Sequence, residues 1–479
     1  MNRSIIRYII CRVLEFQALF LLLPCLVALA YWESAGWAYL IVMVGCFLIG
    51  FLGKLKKPKS TVFFAREGFV TVSLCWIVLS VTGAIPFVLS GEIPSFTDAL
   101  FETISGLTTT GSSILADVEA LSYCNLFWRS FTHWIGGMGV LVLVLAVLPL
   151  AGGYNMHLMR AESPGPSVGK LVPRVRHTAR ILYGIYLAMT LILIVLLLCS
   201  GMNLFEASTH AFGTAGPGGF GIKNSSIGDY SVPIQVIITI FMILFGVNFQ
   251  VYYFFLIRKP KDALLHEEAR YYLLIIIGAV ALIAWNVRGM FGSLVETVQQ
   301  VFFQVASIIT TTGFATTDFN LWPAFSKSIM VLLMFVGACA GSTGGGMKVS
   351  RVLILLRLVK NEVYHLLHPK RVTKVRLEYR AVAKETVRGV QVFFIAYMFI
   401  LAGSVLLISL CELDVVTNFT AVVATLNNIG PGLELVGPTG NFAVFASPAK
   451  WVLMFDMLAG RLEIFPLLVL LAPLTWKKG

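Results

Sequence analysis

Thr310-Thr311-Thr312-Gly313 opens a polar island that runs on through Phe314-Ala315-Thr316-Thr317-Asp318, at the end of an apolar amphipathic stretch, Val295 to Ile309. After Asn320-Leu321-Trp322-Pro323 a long apolar run begins. What such a turn offers is backbone: irregular carbonyls at membrane depth survive only when packed in protein or lining a watery path, and there they can replace the hydration shell of an ion. The same chemistry recurs. Phe101-Glu102-Thr103-Ile104-Ser105-Gly106-Leu107-Thr108-Thr109-Thr110-Gly111 matches Phe303-Gln304-Val305-Ala306-Ser307-Ile308-Ile309-Thr310-Thr311-Thr312-Gly313 at Phe, Ser, the three Thr and the Gly. His210-Ala211-Phe212-Gly213-Thr214-Ala215-Gly216-Pro217-Gly218-Gly219-Phe220 keeps the Gly-Phe pair, and Ala424 to Gly432 keeps the glycine and its helical approach. A glycine is needed where φ is positive or backbone approaches a ligand closely. Four such turns on one axis make a ring of carbonyls at the partially negative ends of four half-helices, which favours a cation and repels an anion.

Two further stretches are unusual for apolar surroundings. Gly341-Ser342-Thr343-Gly344-Gly345-Gly346-Met347-Lys348 interrupts the run Pro323–Val359, and consecutive glycines do not hold a helix, each costing about 1 kcal/mol against alanine. Met347 separates Gly346 from Lys348, so the ending of a phosphate-binding loop is missing and no strand precedes it; we read a flexible gate segment. Phe455-Asp456-Met457-Leu458-Ala459-Gly460-Arg461-Leu462-Glu463 places ionisable groups within the last span, where they face the interior or water. Arg461 is either a positive barrier in the ion path or a structural partner of Glu463 or Asp456. His365 and His368 lack a third ligand and read as a solvated helix face. There is no HExxH, no nucleophile elbow and no facing carboxylate pair, so nothing points to an enzyme.

The elements that position these residues are membrane spans. Of 479 residues 58% are hydrophobic and only 13% charged, the composition of a multi-span membrane protein. Ten spans of about 20 apolar residues are expected: Ile5–Tyr31, Trp37–Gly53, Phe69–Ser90, Asn125–Leu150, Ile181–Gly201, Pro233–Ile257, Tyr271–Val287, Pro323–Val359, Gln391–Cys411 and Lys450–Leu471. With both termini cytoplasmic, the inside segments hold 29 of the 36 Lys and Arg, which fixes the orientation. Placed there, the net charge of +12 speaks for membrane topology and not for nucleic acid. The outer connections carry thirteen of the 24 acids against five bases, a face that attracts cations. The eight cysteines have neither metal nor redox spacing.

The predicted architecture is all-α: an N-terminal hairpin, 1–68, and four span–half-helix–glycine–span repeats, 69–180, 181–270, 271–385 and 386–479, closing a pseudo-fourfold pore within one chain.

On SGLTTTGSS (105–113), HAFGTAGPGGFG (210–221), TTTGFATTDFNLWP (310–323), GSTGGGMKV (341–349), NNIGPG (427–432) and GRLEIF (460–465), the chain resembles the Trk/Ktr/HKT superfamily of potassium transporters over essentially its whole length, most closely the Trk-type membrane subunits (TrkH-like). That resemblance implies potassium uptake across the bacterial cytoplasmic (inner) membrane. It implies a filter in which K+ meets backbone carbonyls of Thr109, Thr110, Gly111, Pro217, Gly218, Gly219, Thr311, Thr312, Gly313, Phe314, Asn428, Ile429 and Gly430. It also implies a gate of Gly344, Gly345, Gly346, Lys348 and Arg461. Implied partners are a second copy, a cytosolic nucleotide-binding (NAD/ATP-type) regulatory ring and membrane lipid, with no organic cofactor in this chain. Glycine at all four filter positions favours potassium over the alternative, sodium or mixed monovalent-cation transport by the same fold. Pro217, which lacks an N–H and fixes φ, is the departure from the family's pattern.

Overall fold

The computed structural model describes residues 1–56, 58, 64–139, 175–370 and 373–477. The continuation of the expected span Asn125–Leu150 past Gly139, most of the basic segment 151–180, Lys57, Lys59 and Lys478 lie outside them.

Arg3–Tyr31 and Gly36–Leu55 pair as the expected leading hairpin, closed by Trp32 in the left-handed region (φ 57°). Glu33 in that turn accepts the N–H groups of Tyr123 and Cys124 at 2.7 and 2.9 Å, an anion at the start of helix Tyr123–Gly137, where the free amides and the helix dipole favour it. The hairpin is thereby tied to the first repeat.

One order of elements then recurs four times. A long helix (Ala65–Leu89, Val175–Cys199, Glu267–Val287, Lys384–Ile408) leads to a short one (Phe96–Leu107, Leu204–Ala215, Leu294–Ile309, Val415–Leu426). A turn comes next, and then a helix of 13 to 15 residues: Tyr123–Gly137, Val232–Gly246, Ala324–Val336 or Ser447–Arg461. Every short helix starts on a residue whose side chain accepts an N–H of the first turn: Ser95, Asn203, Ser293 and Asp414. Such caps satisfy amides that the helix itself leaves free. Asp98, Glu206 and Glu296 occupy the first turns, so part of the expected acidic outer face is helix-capping charge, complementary to the dipole.

Six helices among the described residues are long and apolar enough to cross a membrane, or seven if Val232–Gly246 and Phe249–Leu256 count as one bent span. Three expected spans are not continuous. Pro233–Ile257 bends by 90° where Val247 is extended and Asn248 caps a new helix by accepting the N–H of Gln250 at 2.9 Å. Pro323–Val359 opens at its glycines, as their composition implies: Val336 ends one helix and Lys348 precedes the next, Val349–Leu367. Lys450–Leu471 breaks at Glu463 and Ile464, both left-handed (φ 58° and 66°), with the Ile464 N–H reaching back to Ala459 at 2.7 Å. After Val349–Leu367 the chain makes a small hairpin, Arg376–Leu377 against Arg380–Ala381.

Candidate ion-coordination site and the loop beneath it

The four short helices end alike. Thr109, Thr311 and Asn428 turn left-handed (φ 55°, 62° and 54°), and the next residue's N–H returns to the carbonyl five residues back: Thr110 to Ser105 (2.8 Å), Thr312 to Ser307 (2.9 Å), Ile429 to Ala424 (2.9 Å). The left-handed residue bonds three back, to Gly106, Ile308 and Thr425. This is the Schellman closure of a helix. It satisfies the terminal carbonyls internally and frees the following peptide to face elsewhere. The second turn keeps the longer bond, Gly218 to Gly213 at 3.1 Å, but carries Pro217 at the left-handed position, where the ring forbids positive φ and supplies no N–H.

Next in each turn comes a positive-φ glycine: Gly111 (82°), Gly219 (72°), Gly313 (83°) and Gly430 (104°). A Cβ on Gly111 would collide with the Gly218 carbonyl oxygen, on Gly219 with that of Thr312, and on Gly313 with that of Ile429; on Gly430 it would lie 2.9 Å from that of Thr110. Each glycine thus abuts the carbonyl preceding the next repeat's glycine, and the fourth abuts the first. The succession closes. No other residue fits: an L side chain adds about 1–2 kcal/mol for the left-handed backbone on top of the collision.

Hydrogen bonds between neighbouring turns brace this ring. Asn428 Nδ2 donates to Thr110 Oγ1 (2.9 Å) and Ser112 Oγ to the Gly430 carbonyl (3.0 Å). Ile227 N–H donates to Ala315 (3.0 Å) and Phe442 N–H to Ser113 (2.8 Å). Between the first and second turns Arg129 pairs with Glu102 at 2.5 Å, donates to the Gly221 carbonyl at 2.9 Å and stacks over Phe220 at 3.7 Å. Both ionic groups are buried, so Glu102 and Arg129, counted from the sequence as outer-face charge, are internal struts. His133 Nδ1 lies 2.8 Å from the Gly106 carbonyl and Nε2 accepts the Phe220 N–H at 3.3 Å. Its ring fills the place a Gly218 side chain would take. Phe314 packs its ring against the second repeat, 6.0 Å from His210, and its carbonyl accepts from Ser307 Oγ at 2.5 Å. At the mouth, a cavity of about 170 Å³ touches Gly219, Gly313, Arg129 and Asn224. There Asp117 accepts from Asn224 Nδ2 at 2.8 Å and from Glu119 N–H at 3.0 Å; these bonds, the Asn224 one foremost, hold its carboxyl below the usual range.

The glycine-rich loop presses on the same ring. Gly345 N–H donates to Thr311 Oγ1 (2.6 Å) and Gly346 N–H to the Asn427 carbonyl (3.0 Å). A Cβ on Gly344 would lie 2.9 Å from the Thr310 carbonyl. Lys348, 2% exposed, donates to the carbonyls of Gly344 and Gly345. Arg461 ends its helix, where the dipole favours a cation, and spans from the Thr343 carbonyl (3.1 Å) to those of Gly136 and Gly137 (2.7 Å to the latter). Glu463 is ion-paired with Arg351, and Asp456 accepts from Ser404 at 2.7 Å. The structure therefore gathers the five residues expected from the sequence to form a gate: Gly344, Gly345 and Gly346 lie against the third and fourth glycine turns, Lys348 on the loop's own carbonyls, and Arg461 between Thr343 and Gly136–Gly137 of the first repeat. Sequence reasoning missed Glu102, Arg129 and His133, whose only signal was position within or just after a repeated motif.

The family model for TrkH, described as a cation transport protein, matches residues 38–477. This chain belongs to the TrkH cation transport family. Its relatives in that family include the Trk system potassium uptake protein TrkH of Salmonella typhimurium, 39% identical with 99% of each chain covered, and TrkG of Escherichia coli K12, 35% identical over the whole of both chains. Among solved structures, the potassium transporter TrkH from Vibrio parahaemolyticus superposes with a TM-score of 0.88 at 35% identity, covering 99% of each chain. The family thus accounts for the fold, and the chain is a multi-pass membrane transport protein.

Proposed function

We propose that this chain carries potassium inward across the bacterial cytoplasmic membrane through a pore along the axis of the glycine ring. The observation that carries the reading is the closed succession of Gly111, Gly219, Gly313 and Gly430, each held at positive φ against its neighbour's carbonyl. Carbonyls of Thr109, Thr110, Gly111, Pro217, Gly218, Gly219, Thr311, Thr312, Gly313, Phe314, Asn428, Ile429 and Gly430 supply the oxygen ligands, at the negative ends of four half-helices. The printed names of the relatives support potassium as the ion. The four repeats run over 69–180, 181–270, 271–385 and 386–479, after the hairpin 1–68.

Below the ring, Gly344–Gly346, Lys348 and Arg461 form the gate: the loop obstructs, and the two cations bound to its carbonyls raise the barrier to an arriving K+. The basic segments support a cytosolic side for the termini and the Arg376–Ala381 hairpin. The Trk system of the relatives' names supports further components beside this chain, which in this reading are a second copy, as a homodimer, and a cytosolic nucleotide-binding ring. The deciding experiment is growth of a bacterium stripped of its own potassium uptake, on limiting potassium with rising sodium. Rescue that persists in sodium supports the reading, and rescue by sodium in place of potassium replaces it with the sodium or mixed-cation alternative.

A further inference from the structure

Glu268 has no part in the filter and none of the ion-path chemistry, yet it is a carboxylate only 3% exposed at the start of helix Glu267–Val287. A buried carboxylate is costly unless hydrogen-bonded. One of its oxygens, Oε1, accepts two backbone amides: Ala340 N–H at 2.8 Å and Ser350 N–H at 2.9 Å. Ala340 lies before the glycine-rich loop and Ser350 after it, so a single atom holds both ends of the loop. A single oxygen with two lone pairs can accept both amides whether or not the carboxyl is charged. The loop's middle is held by Thr311, Asn427, Lys348 and Arg461; its span is set by Glu268.

The same helix start is gripped from outside the membrane core. Glu378 and Tyr379 form the two-residue turn of the Arg376–Ala381 hairpin, both left-handed (φ 52° and 60°), as a tight hairpin turn requires but as few non-glycine residues adopt. The Glu378 carboxylate accepts the N–H groups of Glu267 (3.0 Å) and Glu268 (3.1 Å), and the Glu267 carboxylate accepts the N–H of Glu378 (2.8 Å). Arg357 adds an ion pair to Glu267 and a hydrogen bond to the Arg376 carbonyl. Hairpin and helix start are reciprocally locked. The backbone of Glu268 is fixed by the hairpin while its side chain fixes the loop.

We propose that Glu268 is the positioning residue of the gate loop, and that the hairpin at Glu378 is the lever through which a cytosolic displacement reaches it. This rests on the gate reading above. Moving the hairpin moves the Glu268 backbone, and both loop anchors move with it because they share one oxygen.

The test is potassium flux in vesicles reconstituted with the full chain, with folding checked by thermal unfolding in detergent and the potassium-to-sodium ratio recorded alongside. Glu268→Ala releases both anchors and is expected to raise flux about tenfold at an unchanged ion ratio, since the filter is untouched. Glu268→Gln keeps an Oε1 acceptor and should restore flux near the parent's. Glu378→Ala should raise flux less, and add nothing when combined with Glu268→Ala, because both act along one path. Parent-like flux in a folded Glu268→Ala protein overturns the proposal, as does a Gln variant that behaves like Ala. Arg461→Ala run in parallel separates the two levels. A rise there without one in Glu268→Ala overturns the clasp alone, and no rise in either removes the gate reading with it.

Discussion

The ring and the loop beneath it are a few ångströms apart and built on opposite principles. The ring is made of backbone, uses a neutral turn four times, and depends on side chains mainly as braces. The loop occurs once and depends on charged side chains, Lys348, Arg461 and Glu268, drawn from separate elements of the chain. In the proposed function repetition suits discrimination, since four equivalent carbonyl positions would surround one axis and no side chain would need to reorganise. A single asymmetric element suits the proposed control, because one displacement would change the path without disturbing the ring. The second turn sharpens the contrast. Pro217 removes the left-handed residue and the shorter closing bond, yet Gly218 keeps the longer one and still meets Gly111, with His133 filling the space beside it.

The comparison breaks most visibly at Gly313. A serine there drives its Cβ into the Ile429 carbonyl, so Gly313→Ser is expected to lower the potassium-to-sodium flux ratio by about tenfold, equivalent to about 1.4 kcal/mol. An unchanged ratio would show that discrimination lies elsewhere. Arg461→Ala acts on the other region: losing its bonds to Thr343, Gly136 and Gly137 should raise potassium flux severalfold, about 1 kcal/mol off the barrier, at an unaltered ratio. A fall in flux with normal folding would make Arg461 a structural tie between helices. The smallest effect is expected from Pro217→Ala, which frees the unfolded chain and should lower stability by under about 1 kcal/mol. The ion ratio should stay at the parent's value because the Gly218–Gly213 bond and the His133 contact remain. A collapse of the ratio would mean that proline rigidity itself sets the second carbonyl.

Much of this was legible in the sequence because the ring is repeated. Thr108-Thr109-Thr110-Gly111 and Thr310-Thr311-Thr312-Gly313 announce each other, and the glycine run 344–346 cannot be a helix. The 90° bend was not legible as an interruption of apolar character, because Val247 and Asn248 sit inside a run that stays apolar on both sides; its local sign is a helix-capping Asn two residues after Gly246. The break at Glu463 and Ile464 is hidden similarly, since both are non-glycine residues in the left-handed region. Glu102, Arg129 and Glu268 were readable only as loop or helix-end charges. Their partners, Ser113 and Gly221 for the first pair and Ala340 and Ser350 for Glu268, become neighbours through tertiary packing, which single-sequence periodicity does not encode.

In the proposed function the ion meets the backbone on the axis of the glycine ring. A structure of this chain prepared in rubidium, with anomalous scattering used to locate the ion, tests it most directly. Density is expected on the axis among the carbonyls that adjoin Gly111, Gly219, Gly313 and Gly430. Full rubidium occupancy elsewhere, with none on that axis, would contradict it.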